Sequence, residues 1–326
     1  MATDFDRTRA AFDLPKGMIY LDGNSLGPLP RAATERVRAC IMDEWGQMLI
    51  TGWNRAGWMD MPARLGDRIG RLIGAAPGTV VLGDTLSIKV YQALASALEL
   101  NPDRRVILSD TGNFPSDLYM ADGLVRTLGQ GYELRTVAPE DVEAAITPDL
   151  AVLMLTEVDY RTGRKHDMAR LIEKAHAAGV LVVWDLAHSA GALPVDLAGA
   201  DADFAVGCTY KYLNSGPGGP AFIYVAPRLA DRVRPALSGW LGHESPFAFD
   251  PDYRPGRGIE RMRVGTPPVL QLAALEAALD VWEGVELAEV HRQSLKLQDQ
   301  FIKGLETRAP MLQLNTPRSH LMRGSQ

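Results

Sequence analysis

Lys211 follows Asp185 by 26 positions, and each stands at the end of an apolar run. The first run, Val180-Leu181-Val182-Val183-Trp184, is continuous, which suits a strand covered on both faces, and it closes on the carboxylate. The second, Phe204-Ala205-Val206-Gly207-Cys208-Thr209, closes on Tyr210 and Lys211. The interval accommodates one crossover and the next strand of an α/β sheet, so an amine and a carboxylate at neighbouring strand ends can face one ligand from opposite sides. The chemistry that needs such a pair is that of pyridoxal phosphate (PLP). The amine forms a Schiff base with the aldehyde, and the carboxylate keeps the pyridine nitrogen protonated so that the ring accepts carbanion electrons. Either residue alone reads more simply, Asp185 as a helix cap and Lys211 as a solvated lysine. Paired, and followed by Gly216-Pro217-Gly218-Gly219, they favour the catalytic reading.

The elements that must position this pair alternate strand and helix from about residue 60 onward, the pattern of an α/β domain with a largely parallel sheet. Strands are expected over 79–83, 105–109, 150–156, 180–185, 204–209 and 221–225. Helices are expected over 88–98 and over 167–178, the latter capped by Asp167 and stopped by Gly179. Residues 1–35 fall outside the alternation, with a proline-rich arm, Gly27-Pro28-Leu29-Pro30, before a helix from Arg31. Two long helices are expected over 268–283 and 286–308, the second with Leu287, Val290, Ser294, Leu297, Phe301 and Leu305 along one stripe. The alternation in Met311-Leu312-Gln313-Leu314-Asn315 predicts a further strand.

The chain has 326 residues, 46% of them apolar, enough for one large core with additions. A net charge of −6 without basic blocks argues against nucleic acid or an anionic membrane as partner. Only two cysteines, Cys40 and Cys208, are present, which fits a reducing compartment, and no apolar run reaches the roughly 20 residues that span a bilayer. The polar first residues are not a signal peptide, so a cytoplasmic protein is expected. His166, His176, His188, His243, His291 and His320 show no metal-ligand spacing, and no metal is expected.

The segments Val183-Trp184-Asp185-Leu186-Ala187-His188-Ser189-Ala190-Gly191 and Gly207-Cys208-Thr209-Tyr210-Lys211-Tyr212-Leu213-Asn214 closely resemble the kynureninase family, PLP enzymes of the aspartate-aminotransferase type. The likeness begins at Tyr20-Leu21-Asp22-Gly23-Asn24-Ser25-Leu26-Gly27 and runs to the last residues. It implies the fold-type-I architecture of PLP-dependent transferases: an N-terminal arm over 1–35 joining the small domain, a large PLP-binding α/β domain over 36–267, and interdomain helices with the start of a small domain over 268–326. In that family more chain follows, so the resemblance implies an incomplete C-terminal small domain, the absence of the arginine that holds the substrate α-carboxylate, and cofactor binding with reduced turnover.

The resemblance also implies a set of site residues. Lys211, Tyr210 and Asp185 are the catalytic group. For the phosphate, Leu86 offers its backbone amide and Ser87 its hydroxyl, in a turn whose following helix presents free N–H groups to an anion. Asn113-Phe114-Pro115-Ser116-Asp117 is the ring-binding segment, with Phe114 stacked on the pyridine; Thr156 stands near the ring's 3-oxygen and His188 beside the cofactor. Tyr210 has two expected duties, phosphate binding and proton relay, with its ionisation shifted below the usual pH 10 by the nearby lysine. Trp240 and Thr266 close the phosphate site, Thr266 from the second subunit of a homodimer with shared sites. Trp53 and the Gly265-Thr266 pair are expected on the substrate side, the small pair favouring kynurenine over its 3-hydroxy derivative. Without the family, Ser87 and Thr266 read as helix caps, Phe114 to Asp117 as a turn, and His188 and Trp240 as core residues.

The activity implied is hydrolysis of the Cβ–Cγ bond of L-kynurenine to anthranilate and L-alanine, in tryptophan catabolism and NAD biosynthesis. A cysteine-desulfurase-like enzyme on the same fold is one alternative. Against it, Cys208 lies in a strand pattern and Cys40 on an early helix, neither suited to a mobile catalytic loop. A chain that binds PLP without turnover is the other alternative.

Overall fold

The computed structural model describes residues 2–326. Two short strands, β1 (Phe12–Asp13) and β2 (Leu29–Pro30), pair antiparallel within the N-terminal arm. The main sheet holds β3 (Val80–Leu82), β4 (Val106–Asp110), β5 (Glu133–Val137), β6 (Leu150–Thr156), β7 (Leu181–Asp185), β8 (Phe204–Gly207) and β9 (Phe222–Val225). Their order is β3-β9-β8-β7-β6-β4-β5, and only β9 runs against the others. Every residue of β6 and β8 is buried, as expected of strands in the middle of a sheet covered by helices.

The helix Leu86–Leu100 contacts β6, β7, β8 and β9, while Pro115–Leu128 lies against β5 and Met168–Ala177 against β7. The expected cap is present: the Asp167 carboxylate accepts from the Arg170 N–H, and Gly179 takes the positive φ of 72° beyond the helix end. Val269–Asp280 packs on the helices Arg31–Ala39 and Met61–Leu72. No helix among residues 2–326 is long and apolar enough to cross a membrane.

Two features differ from the sequence expectation. Strand β5 was not anticipated, because Glu-Leu-Arg-Thr-Val lacks a continuous apolar run; it is the sheet edge, paired only with β4 and half-exposed. Residues 311–315 form no strand. The alternation there meets no neighbouring strand, and a lone strand leaves its backbone groups unpaired. Met311 and Leu312 are exposed, as are Leu297 and Phe301 on the stripe of Leu287–Arg308, where Ile302 is the buried residue.

What places the site is the register at the carboxyl ends of the parallel strands. Thr156 is level with Asp185, and Asp185 with Val206, so the chain leaving β8 toward Lys211 passes beside the β7 carboxylate. The amino-terminal side is held by another carboxylate. Asp203, almost fully buried, accepts from the Val182 N–H at 2.7 Å, from Arg228 at 2.7 Å and pairs with His176 Nε2 at 2.9 Å. The hydrogen bond to Asp203 raises the His176 pKa above 6.5. That stabilisation is complete below about pH 6.5 and is lost as pH rises through the raised value. Asp203→Ala leaves the Val182 N–H and His176 Nε2 without their acceptor and Arg228 with Asp201 as its remaining acidic partner, and is expected to cost about 3 kcal/mol in urea unfolding. The loss of stability contributed by His176 above neutral pH should vanish in the same variant.

Candidate active site

Asp185 closes β7 at 2% exposure, with Oδ1 accepting the Ala187 N–H at 2.8 Å. The Thr156 hydroxyl sits between Asn113 Oδ1 and Asp185 Oδ2, the latter at 3.4 Å. Asp117, on the first turn of Pro115–Leu128, is buried against Asp185, and its Oδ2 has no hydrogen-bond partner. Burial, then the charge of Asp185, raises the Asp117 pKa well above the ordinary carboxyl value. Burial raises Asp185 too, while Lys211 pulls it back down. Two carboxyls in one dry site cannot both ionise freely; Asp117 holds the proton and Asp185 the charge.

Lys211 Nζ lies 2.8 Å from His188 Nε2. Burial and the lysine charge push the His188 pKa down to about 3, so the imidazole is neutral and accepts at Nε2. Its proton is then on Nδ1, which is buried without a partner. The residues from 187 to 192 are turns, and from either side of Leu186 His188 and Asp185 both reach the lysine. Lys211 Nζ also stands 5.8 Å from the ring centroids of Phe114 and Tyr210. Phe114, 42% exposed, packs edge-on against Tyr160 at 5.1 Å and keeps an aromatic surface open beside the amine.

Tyr210 corrects the sequence expectation. Its pKa is raised, first by burial and then by Cys208, with Asp185 and Asp117 adding to the shift. The hydroxyl therefore stays protonated, a donor rather than a phenolate. Cys208 is itself buried, with its thiol pushed up to about 12.

Leu86 begins the helix Leu86–Leu100 beyond Thr85, whose side chain makes no cap bond. Ser87 Oγ lies 2.9 Å from Ser116 Oγ, so the starts of two helices, Leu86–Leu100 and Pro115–Leu128, meet. Pro115 in the first turn of the second helix has no N–H to leave unpaired. Two helix amino termini converging on one point make a favourable field for an anion. Gly265 and Thr266 line a small cavity of about 20 Å³ with Gly83 and Asp84, and Leu241, next to Trp240, donates its N–H to Val264 O at 3.4 Å. Trp240 is half-exposed and packs on Phe247 at 5.9 Å. Trp53 stands edge-on to Trp58 at 5.4 Å, outside the contacts around Lys211.

Asn113, within the ring-binding segment, gains a role that the sequence did not assign, and Gly27 and Glu157 join the site from outside the expected set. Asn113 orients Thr156 and accepts the Phe114 N–H at 2.7 Å. Gly27 donates its N–H to Tyr210 O at 2.8 Å, and a Cβ built there would lie 2.2 Å from Lys211 O and 2.3 Å from Asn214 Oδ1. Only glycine lets the arm approach the lysine loop so closely, and its place in Leu26-Gly27-Pro28 was the available signal. Glu157 follows β6, donating its N–H to Asp185 O at 3.0 Å, and its Oε2 is buried without a partner.

Burial pushes the Glu157 pKa to about 7 from 4.5, against the lowering effects of Ser189 and Lys165. The folded chain binds this proton more tightly than the unfolded chain, so the stabilisation is complete below about pH 4.5 and is lost as pH rises to about 7. Glu157→Gln is expected to match the parent near pH 4.5 and to exceed it by about 2 kcal/mol at pH 8, read by denaturant unfolding at both pH values.

The Aminotransferase class-V family matches residues 87–325. The chain is 52% identical over 324 residues to a kynureninase from Pseudomonas fluorescens, covering 97% of this chain and 78% of the relative. It is 51% identical over 325 residues to a kynureninase from Deinococcus radiodurans, covering 98% of this chain and 79% of the relative. Among solved structures, the apo cysteine desulfurase from Thermococcus onnurineus NA1 superposes with a TM-score of 0.81 at 21% identity, covering all of this chain and 82% of the other. A mutant of C-DES with glycine covalently linked to the PLP cofactor superposes with a TM-score of 0.78 at 21% identity, covering 93% of this chain and 80% of the other. At those identities the superpositions establish the fold, that of fold-type-I PLP enzymes.

Proposed function

The chain belongs to the kynureninase family, and from that premise we propose that it hydrolyses the Cβ–Cγ bond of L-kynurenine with PLP, releasing anthranilate and L-alanine in tryptophan catabolism. The observation that carries the reading is the enclosure of Lys211 Nζ by His188, Phe114 and the Asp185–Asp117 carboxyls at the strand ends.

The residues present fit the cofactor. A buried carboxylate with a raised pKa and a neighbouring carboxyl oxygen without a partner are what a ring N–H⁺ would satisfy. Phe114 offers a face for a flat ring, and the meeting of two helix starts at Ser87 and Ser116 suits a phosphate dianion. When bound, PLP supplies an electron sink for carbanion chemistry.

Lys211 is the amine that would hold the aldehyde and, once free, take the substrate α-proton. His188, neutral and buried, fixes the direction of Nζ without adding charge. Asp185 retains its charge against burial by means of the nearby lysine and the Ala187 N–H, and so would stabilise a ring cation. Tyr210, kept protonated by burial, is the donor to oxygen or carbon as water adds to the side-chain carbonyl. Leu86, Ser87, Trp240 and Thr266 are assigned to the phosphate end. Trp53 and Gly265 are assigned to the substrate side, where the small Gly265-Thr266 pair supports unsubstituted kynurenine as the preferred substrate.

A homodimer with shared sites is part of the reading. Ile19, Leu21, Trp45, Ile50, Phe247 and Phe249 are exposed apolar side chains, and Phe247 bridges Trp240 and Phe249 edge to face. A cytoplasmic location agrees with two free, buried cysteines.

The test is anthranilate fluorescence from L-kynurenine in the PLP-loaded chain, alongside visible absorbance. Lys211→Ala is expected to lose the absorbance and at least about 1000-fold in turnover, since both nucleophile and base are removed. Sulfide released from cysteine, with no anthranilate from kynurenine, would instead favour a desulfurase.

A further inference from the structure

Beneath the phosphate end lies a charged pair that the activity does not require by itself. Lys89, one turn into the helix Leu86–Leu100, is a lysine at 0% exposure. Its Nζ donates to Gln92 Oε1 at 2.8 Å and Met262 O at 3.2 Å, and is ion-paired with Asp84 Oδ2 at 3.2 Å. A fully buried ammonium is costly to desolvate, so its complete satisfaction marks a constrained position. Burial lowers its pKa, and Asp84 opposes that shift.

The three partners belong to separate parts of the chain. Asp84 lies in the turn before the helix, at φ +58° directly after Gly83 at φ +153°, and its carboxylate meets Lys89 of the first helical turn. Gln92 is on the helix itself. Met262 ends the 3-10 segment Gly258–Met262, which leads through Arg263 and Val264 to Gly265 and Thr266. Asp84, Lys89, Arg263, Gly265 and Thr266 all line the same small cavity. Arg263 is turned to other acceptors, Glu260 at 2.7 Å and Met59 O at 2.9 Å. Lys89 is therefore the cation that directly pairs with Asp84.

Asp84 is exposed to solvent, yet an unpaired carboxylate there would still repel a phosphate placed at the same helix start. We propose that Lys89 is a positioning residue of the phosphate cradle, neutralising Asp84 and tying the 83–87 turn to the Met262 carbonyl. The proposal rests on the PLP reading above and adds the residue that makes its phosphate end electrostatically permissive. Lys89 has no direct part in the reaction; it acts through Asp84 and Met262.

The experiment titrates the apo-protein with PLP, and separately with pyridoxal, which has the aldehyde and ring without the phosphate. Lys89→Met is expected to weaken PLP binding at least about tenfold while pyridoxal binding stays within about twofold of the parent. The double variant Asp84→Asn, Lys89→Met removes both charges and is expected to restore PLP affinity to within about threefold. Parent-like PLP affinity in Lys89→Met, an equal loss for pyridoxal, or no recovery in the double variant overturns the proposal. Should Lys89→Met fail to fold, Asp84→Asn alone decides: it leaves the cation and is expected to bind PLP at least as tightly as the parent, and weaker binding overturns the proposal. A parent chain that binds no PLP overturns the cofactor reading as well, so the two failures are distinguishable.

Discussion

Two carboxyls, Asp117 and Asp185, share one buried place at the carboxyl ends of the central strands, and the arrangement around Lys211 depends on how that negative charge is balanced. Both pKa values are raised by burial, and Lys211 draws both back toward ionisation. A carboxyl pair of this kind is unfavourable in an apolar interior unless a cation or proton answers it. The neutral His188 adds none, which leaves Lys211 and the proton on Asp117 to do so. A ligand bearing a cationic ring nitrogen beside Asp185 and an aldehyde for Lys211 resolves the same imbalance by other means, which is why the site suits PLP.

The fold provides this balance through register and close approach. Thr156, Asp185 and Val206 are level across three parallel strands, so the amine and the carboxylate arise from one edge of one rigid sheet. The N-terminal arm then closes on the lysine loop at Gly27, where backbone meets backbone without an intervening side chain. At the other end of the site, Ser87 and Ser116 join two helix starts, and Lys89 binds the turn before one of them to the Met262 carbonyl. Sites built on strand ends and helix starts hold their geometry better than sites on free loops.

The sequence carried the central strands plainly, because a strand buried on both faces is written as a continuous apolar run, as in 150–156 and 180–185. It hid β5, whose polar alternation belongs to an edge. It suggested a strand at 311–315, where the alternation finds no partner. Lys211, Asp185 and His188 were legible from type, spacing and family likeness, whereas the sign of the Tyr210 shift was not. Burial outweighed the lysine there, and burial is a property of the packed chain. The same reason kept Lys89 hidden: a lysine on a helix reads as solvated until the tertiary structure encloses it.

Lys211, among the lysines of the chain, is the one proposed to receive the cofactor aldehyde. This assignment is tested most directly by reducing the PLP-loaded chain with borohydride, digesting it and locating the phosphopyridoxyl group by mass spectrometry. A single modified residue, Lys211, is expected. A label on Lys89 or on any other lysine, with Lys211 unmodified, would contradict it.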